Sequence, residues 1–123
     1  MTAPAYNTVA WFQVCTDNPG AARGFYGGLF GWEFTESDTG YELISHPGAE
    51  APSGGMVRVP DAGKNSATFL VVVQDVAAAC ARAEQLGGKI LVPPTTAPSG
   101  LVFADLLDPS GNHFGIYSPP PSP

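Results

Sequence analysis

The chain has 123 residues, of which 15 are Gly and 13 Pro, yet 44% are hydrophobic and 11% aromatic. That apolar content excludes a disordered low-complexity polymer, so Gly and Pro are read as turns between many short elements. Five Lys and Arg stand against eleven Asp and Glu, a formal net charge of −6. No basic cluster occurs anywhere along the chain, which argues against nucleic acid and anionic membrane as partners.

The length suits a single domain over residues 1–123. Cys15 and Cys80 lack metal-ligand spacing and lie in apolar periodic segments, which reads as reduced, buried thiols. Met1-Thr-Ala-Pro4 does not resemble a secretory leader, and no apolar run reaches membrane-spanning length. A soluble, cytoplasmic protein is expected.

In chain order, Val9–Cys15 is β-branched and aromatic and predicts a strand. Asn18 or Asp17 then caps a helix with Pro19 at its first position, and Gly31 ends it. Ala22, Phe25, Tyr26 and Leu29 form its apolar stripe, which predicts Phe25 and Leu29 as core. Short strands follow at Trp32–Thr35, Tyr41–Ser45 and about Gly55–Val59, with a loop over Pro47–Ser53 that leaves His46 exposed. Pro60–Ser66 reads as a linker.

The second half repeats that order. Ala67–Val73 is a strand, Asp75 a helix cap, and Ala79, Cys80, Ala83 and Leu86 the stripe of a second helix ended by Gly87-Gly88. Strands follow at Lys89–Val92, Leu101–Leu107 and His113–Tyr117, the last two joined by a tight turn over Asp108–Asn112. Each half is strand, helix, three strands, so the fold is α+β with two duplicated modules, about 6–60 and about 66–118. A proline-rich tail over residues 119–123, extended and mobile, closes the chain.

These paired modules, together with Phe25-Tyr-Gly-Gly-Leu-Phe-Gly-Trp32, Gln74-Asp75-Val76, Leu86-Gly-Gly88 and Asp108-Pro-Ser-Gly-Asn112, resemble the vicinal oxygen chelate superfamily. That superfamily includes glyoxalase I, bleomycin-resistance proteins and extradiol dioxygenases. The resemblance implies two βαβββ modules forming an incomplete barrel around a cavity. It also implies that metalloenzyme members carry His, Glu or Gln ligands on the first and last strands of each module. On this chain those slots fall on Trp11, Gly55, Thr68 and Gly115. None is a carboxylate, imidazole or thiolate, the donors a divalent metal needs. Gln13 and His113 share the same strand parity and leave a two-donor site conceivable.

Strand alternation extends the cavity lining to Gln13, Cys15, Leu70, Val72, Phe103, Asp105, His113 and Tyr117 beside the four slots. Gly55 and Gly115 would leave room for a ligand, and Trp32, just after the helix cap, is read as packing there or as covering the cavity mouth or a dimer contact. Phe12, Val14, Phe69, Val71, Val73, Phe114 and Ile116 have the opposite parity and are expected beneath the helices. An aromatic pocket with few polar groups suits a small molecule, with Trp11, Phe103 and Tyr117 stacking on it and Asp105 and His113 orienting it.

The expected function is a metal-free, non-catalytic protein that sequesters an aromatic or polycyclic antibiotic of bleomycin, mitomycin or enediyne type. No cofactor is called for, and a homodimer with ligand sites at the subunit interface is the expected assembly. The alternative is a metal-dependent glyoxalase-like lyase, isomerase or dioxygenase. No nucleophile elbow, phosphate-cradling glycine loop or His-Glu-x-x-His element offers another chemistry.

Overall fold

A computed structural model describes residues 5–36 and 40–121. The leader reading at Met1–Pro4 and the last two tail positions lie outside the described residues. The elements in order are β1 (Thr8–Thr16), α1 (Pro19–Phe30), β2 (Glu33–Glu36), β3 (Glu42–Ser45), β4 (Gly54–Arg58), a 3-10 turn at Ala62–Lys64, β5 (Ser66–Val72), α2 (Val76–Gln85), β6 (Lys89–Thr96), β7 (Val102–Leu107) and β8 (His113–Ser118). This is βαβββ twice over, as the repeated pattern predicts.

The chain divides into two compact units, Trp11–Thr68 and Phe69–Pro123, the latter joined by Met1–Ala10. The cuts fall inside β1 and β5 rather than in the linker. The residues before Trp11 belong with the second module, where the Asn7 amide donates to the Val72 carbonyl at 2.7 Å.

In the first unit the strand order is β2-β3-β4-β1, antiparallel except for the parallel β1–β4 pair. Asn18 caps α1 by accepting the Ala21 amide, Pro19 opens the helix, and Gly31 closes it at φ 73° in the left-handed region. There a side chain would be strained. Beneath α1 lie Val14, Ile44 and Met56, with Phe12, Ala22, Tyr26, Trp32 and Phe34 packed around them.

Phe25 and Leu29, predicted as core, are 62% and 60% exposed. The helix rests on the sheet along the Ala22–Tyr26 line, and Phe25 and Leu29 lie on the adjacent line, rotated toward solvent. On the same helix Arg23 reaches Glu42 on β3, with 2.6 Å between Nη1 and Oε2. Glu42 Oε1 is buried and has no hydrogen-bond partner among the described residues.

In the second unit the order is β5-β8-β7-β6, with β5–β8 parallel. Its core joins Val76 and Cys80 of α2 to Val73, Ala104, Leu106 and Ile116 beneath the helix, which Asp75 caps by accepting the Ala78 amide. Burial pushes the Cys80 thiol above its ordinary range, as expected of an inert thiol. Phe69, predicted as core, is 47% exposed. Helix α2 packs chiefly on β6, β7 and β8, and the Phe69 ring stacks on Phe114.

Strand β6 runs on to Thr96 through Pro93-Pro94, longer than predicted. It is an edge strand with two register shifts, where the missing proline N–H groups break no needed ladder bond. Asp108 holds the β7–β8 turn, its Oδ1 accepting the amides of Ser110 and Asn112. The Asn112 side chain donates to Oδ2, and these bonds hold the Asp108 carboxyl below its ordinary value. Pro120 and Pro121 of the tail lie against Gly100.

Candidate functional site

The register of the first unit sorts its residues onto two faces. Phe12 pairs with Gly54, Gln13 with Gly55, Leu43 with Gly55 and Glu42 with Met56. Phe12, Val14, Gly54, Met56 and Ile44 therefore face α1, and Trp11, Gln13, Cys15, Gly55 and Leu43 face the other way. Tyr41, two residues before Leu43, joins the second set.

The adjacent glycines of β4 serve both faces. A Cβ at Gly54 would stand 2.5 Å from the Phe12 ring on the helix side. A Cβ at Gly55 would overlap the Tyr41 hydroxyl on the other. The room that Gly55 leaves is thus taken by Tyr41 rather than held open.

From that cradle the phenol connects a polar chain. The Trp11 indole N–H donates to the Tyr41 hydroxyl at 3.1 Å. The hydroxyl donates to Gln13 Oε1 at 3.2 Å, and Gln13 Nε2 approaches Cys15 Sγ at 3.6 Å. Burial raises the Tyr41 phenol above its ordinary value of 10.0, the Trp11 hydrogen bond working against that rise and the Cys15 charge adding to it. The phenol is a neutral donor at physiological pH.

In the second unit, Phe103 pairs with Tyr117, Asp105 with Gly115 and Leu107 with His113, which puts these side chains on one face of β7 and β8. His113 Nε2 lies 3.2 Å from Asp105 Oδ1, with the two side chains 34% and 30% exposed. This is the partner a carboxylate on that face requires. Gly115 pairs with Leu70, and a Cβ there would stand 2.8 Å from Leu70 Cγ. Leu70 fills that place, as Tyr41 does at Gly55. Burial raises the Tyr117 phenol.

Of the expected lining, Trp11, Gln13 and Gly55 come together around Tyr41, and Leu70, Asp105, His113 and Gly115 around one another. Thr68 is half-buried on β5. Trp32 lies elsewhere. It sits on the helix face, its ring 5.3 Å from Tyr26, 5.2 Å from Phe12 and 5.3 Å from His46. His46 is exposed as expected, yet its ring stacks on Phe12.

Two open clefts of about 590 and 570 Å³ flank the N-termini of α1 and α2, and none of the expected lining residues borders either. Tyr41 escaped the sequence reading. Its only signal was a glycine pair inside a strand, which marks close approach without naming what approaches.

The fold implies a divalent metal, and the donor set does not fit one. The slots carry an indole, a threonine and two glycines, and the space at both glycines is occupied by other side chains. Gln13 and His113 are each engaged with a protein partner. Among the described residues no group of three or more His, Cys, Asp or Glu could hold a metal.

Two βαβββ modules with these strand-borne slots define a vicinal oxygen chelate protein. Residues 8–116 match the Glyoxalase/Bleomycin resistance protein/Dioxygenase superfamily, and the chain belongs to it. It is 34% identical over 114 residues to the anthracycline biosynthesis protein DnrV of Streptomyces peucetius, an alignment covering 89% of this chain and 40% of that one. The chain therefore spans about two fifths of that relative.

Among solved structures it resembles methylmalonyl-CoA epimerase from Mycobacterium tuberculosis, with TM-score 0.64, 14% identity and coverage of 98% and 94%. It also resembles the Mn(II)-bound glyoxalase from Novosphingobium aromaticivorans, with TM-score 0.65, 18% identity and coverage of 96% and 42%. At such identities these likenesses carry the fold alone. No described helix is long and apolar enough to cross a membrane.

Proposed function

We propose that this chain binds a planar, polycyclic aromatic small molecule without transforming it, holding the ligand against the Trp11 indole. The observation that carries this reading is the state of the family's ligand slots. Their donors are missing, and a neutral aromatic and amide cluster of Trp11, Tyr41 and Gln13 stands at two of them. Such a surface offers stacking, worth about 0.5–1.5 kcal/mol per aromatic pair beyond buried area, and oriented polar groups, but no Lewis acid.

A net charge of −6 favours cationic or neutral ligands. The DnrV relative, by its name, points to the anthracycline class, which joins the bleomycin, mitomycin and enediyne types as a candidate ligand for sequestration.

The test is a thermal-shift and fluorescence titration with an anthracycline, followed by chromatography of the incubated ligand. Melting should rise with ligand concentration, by about 2.7 kcal/mol of added stability at a hundredfold excess over Kd, and the ligand should come back unchanged. Stoichiometric Ni, Zn, Mn or Fe surviving chelation, together with turnover, would sink the reading.

The His113–Asp105 pair favours one second reading, a metal-free enzyme in which an oriented imidazole moves a proton. Under that reading the ligand is consumed, and His113→Gln stops its consumption.

A further inference from the structure

Resting on the reading above, we propose that Tyr41 is a positioning residue that makes the Trp11–Gln13 surface selective for a planar ligand bearing a hydrogen-bond acceptor, such as a ring carbonyl, at its edge. The geometry assigns each polar atom of the cluster a task. Trp11 spends its single N–H on the Tyr41 hydroxyl, so the indole offers a ligand only its apolar faces. The hydroxyl gives its proton to Gln13 Oε1, which fixes which way the carboxamide points.

Gln13 Nε2 has two N–H groups. One is directed at Cys15 Sγ, a weak acceptor at 3.6 Å, and the other meets no acceptor among the described residues. A half-buried N–H that meets no acceptor among the described residues gains from an acceptor on the ligand and nothing from another donor.

Gly55 is part of the device. Only a residue without a Cβ allows the phenol to sit where it reaches Trp11 and Gln13 together. Burial keeps the phenol protonated, so its donor direction toward Gln13 does not reverse across the physiological range. A quinone-like edge fits this pattern, and an aromatic amine or ammonium edge does not.

The experiment compares two probes with the same three fused rings and the same neutral polyether tether, one an anthraquinone and the other an anthracene. Affinities are measured by fluorescence for the wild-type chain, Tyr41→Phe and Gln13→Met. Tyr41→Phe keeps the ring over Gly55 and removes only the hydroxyl.

The wild-type chain should prefer the anthraquinone, and Tyr41→Phe should weaken that probe about tenfold, the equivalent of one hydrogen bond to a fixed donor, with the anthracene changed less than about twofold. Gln13→Met, which leaves the phenol and its cradle intact, should abolish the preference. Equal weakening of both probes in both variants would make Tyr41 merely structural and overturn the inference. So would a wild-type chain that binds both probes equally well, although the binding function would then stand. A wild-type chain that binds neither probe overturns both.

Discussion

Gly54 and Gly55 are neighbours in the chain with unrelated partners, since successive strand residues face opposite ways. Phe12 fills the space beside one and Tyr41 the space beside the other. Gly55→Ala would force a methyl group into the Tyr41 hydroxyl and should cost about 1–3 kcal/mol, the ordinary penalty of overpacking. In a Tyr41→Ala background the same change should cost almost nothing, because the clash is gone. Urea denaturation of the four proteins in this cycle reads the coupling directly. Additive costs would show that the phenol does not occupy the cradle in solution. The glycine pair could be seen in the sequence as a place of close approach. Which ring arrives depends on the β3–β4 register, and no local pattern encodes that.

The elements follow local signals more closely. Asn18 with Pro19, Asp75, Gly31 and the Asp108–Asn112 turn all do what their short-range chemistry dictates. Asp75→Ala should therefore remove the acceptor for the Ala78 amide and cost about 1 kcal/mol. By calorimetry that corresponds to a fall in Tm of about 4 °C. An unchanged Tm would mean that tertiary packing alone sets the start of α2. Local signals misled where an element meets its neighbours. The stripe on α1 was legible as a stripe, but its seat on the sheet uses Ala22 and Tyr26 and leaves Phe25 and Leu29 outward. Likewise Phe69 has the parity of a core residue and is left 47% exposed.

For the whole molecule, the outward face of α1 bears on the proposed homodimer. Phe25, Leu29 and Phe30 are 62%, 60% and 51% exposed on a chain with few charges to shield them. Contiguous apolar surface of this kind marks association sites. A homodimer burying this face should become monomeric in Leu29→Glu, with helicity retained, as read by sedimentation and circular dichroism. A wild-type chain that sediments as a monomer would refute the dimer.

The duplicated βαβββ order, the caps, the turns and the face on which each strand residue lies follow from the chain read locally, because each depends on neighbours within a few positions. The lack of metal donors at the four slots was equally legible, since it is a matter of residue identity. What occupies those slots was not. Tyr41 over Gly55, Leu70 over Gly115 and His113 against Asp105 are set by strand register and by side chains meeting across the sheet. Glycines that looked like open space for a ligand are cradles for the protein's own side chains, because a folded sheet fills the gaps its backbone leaves.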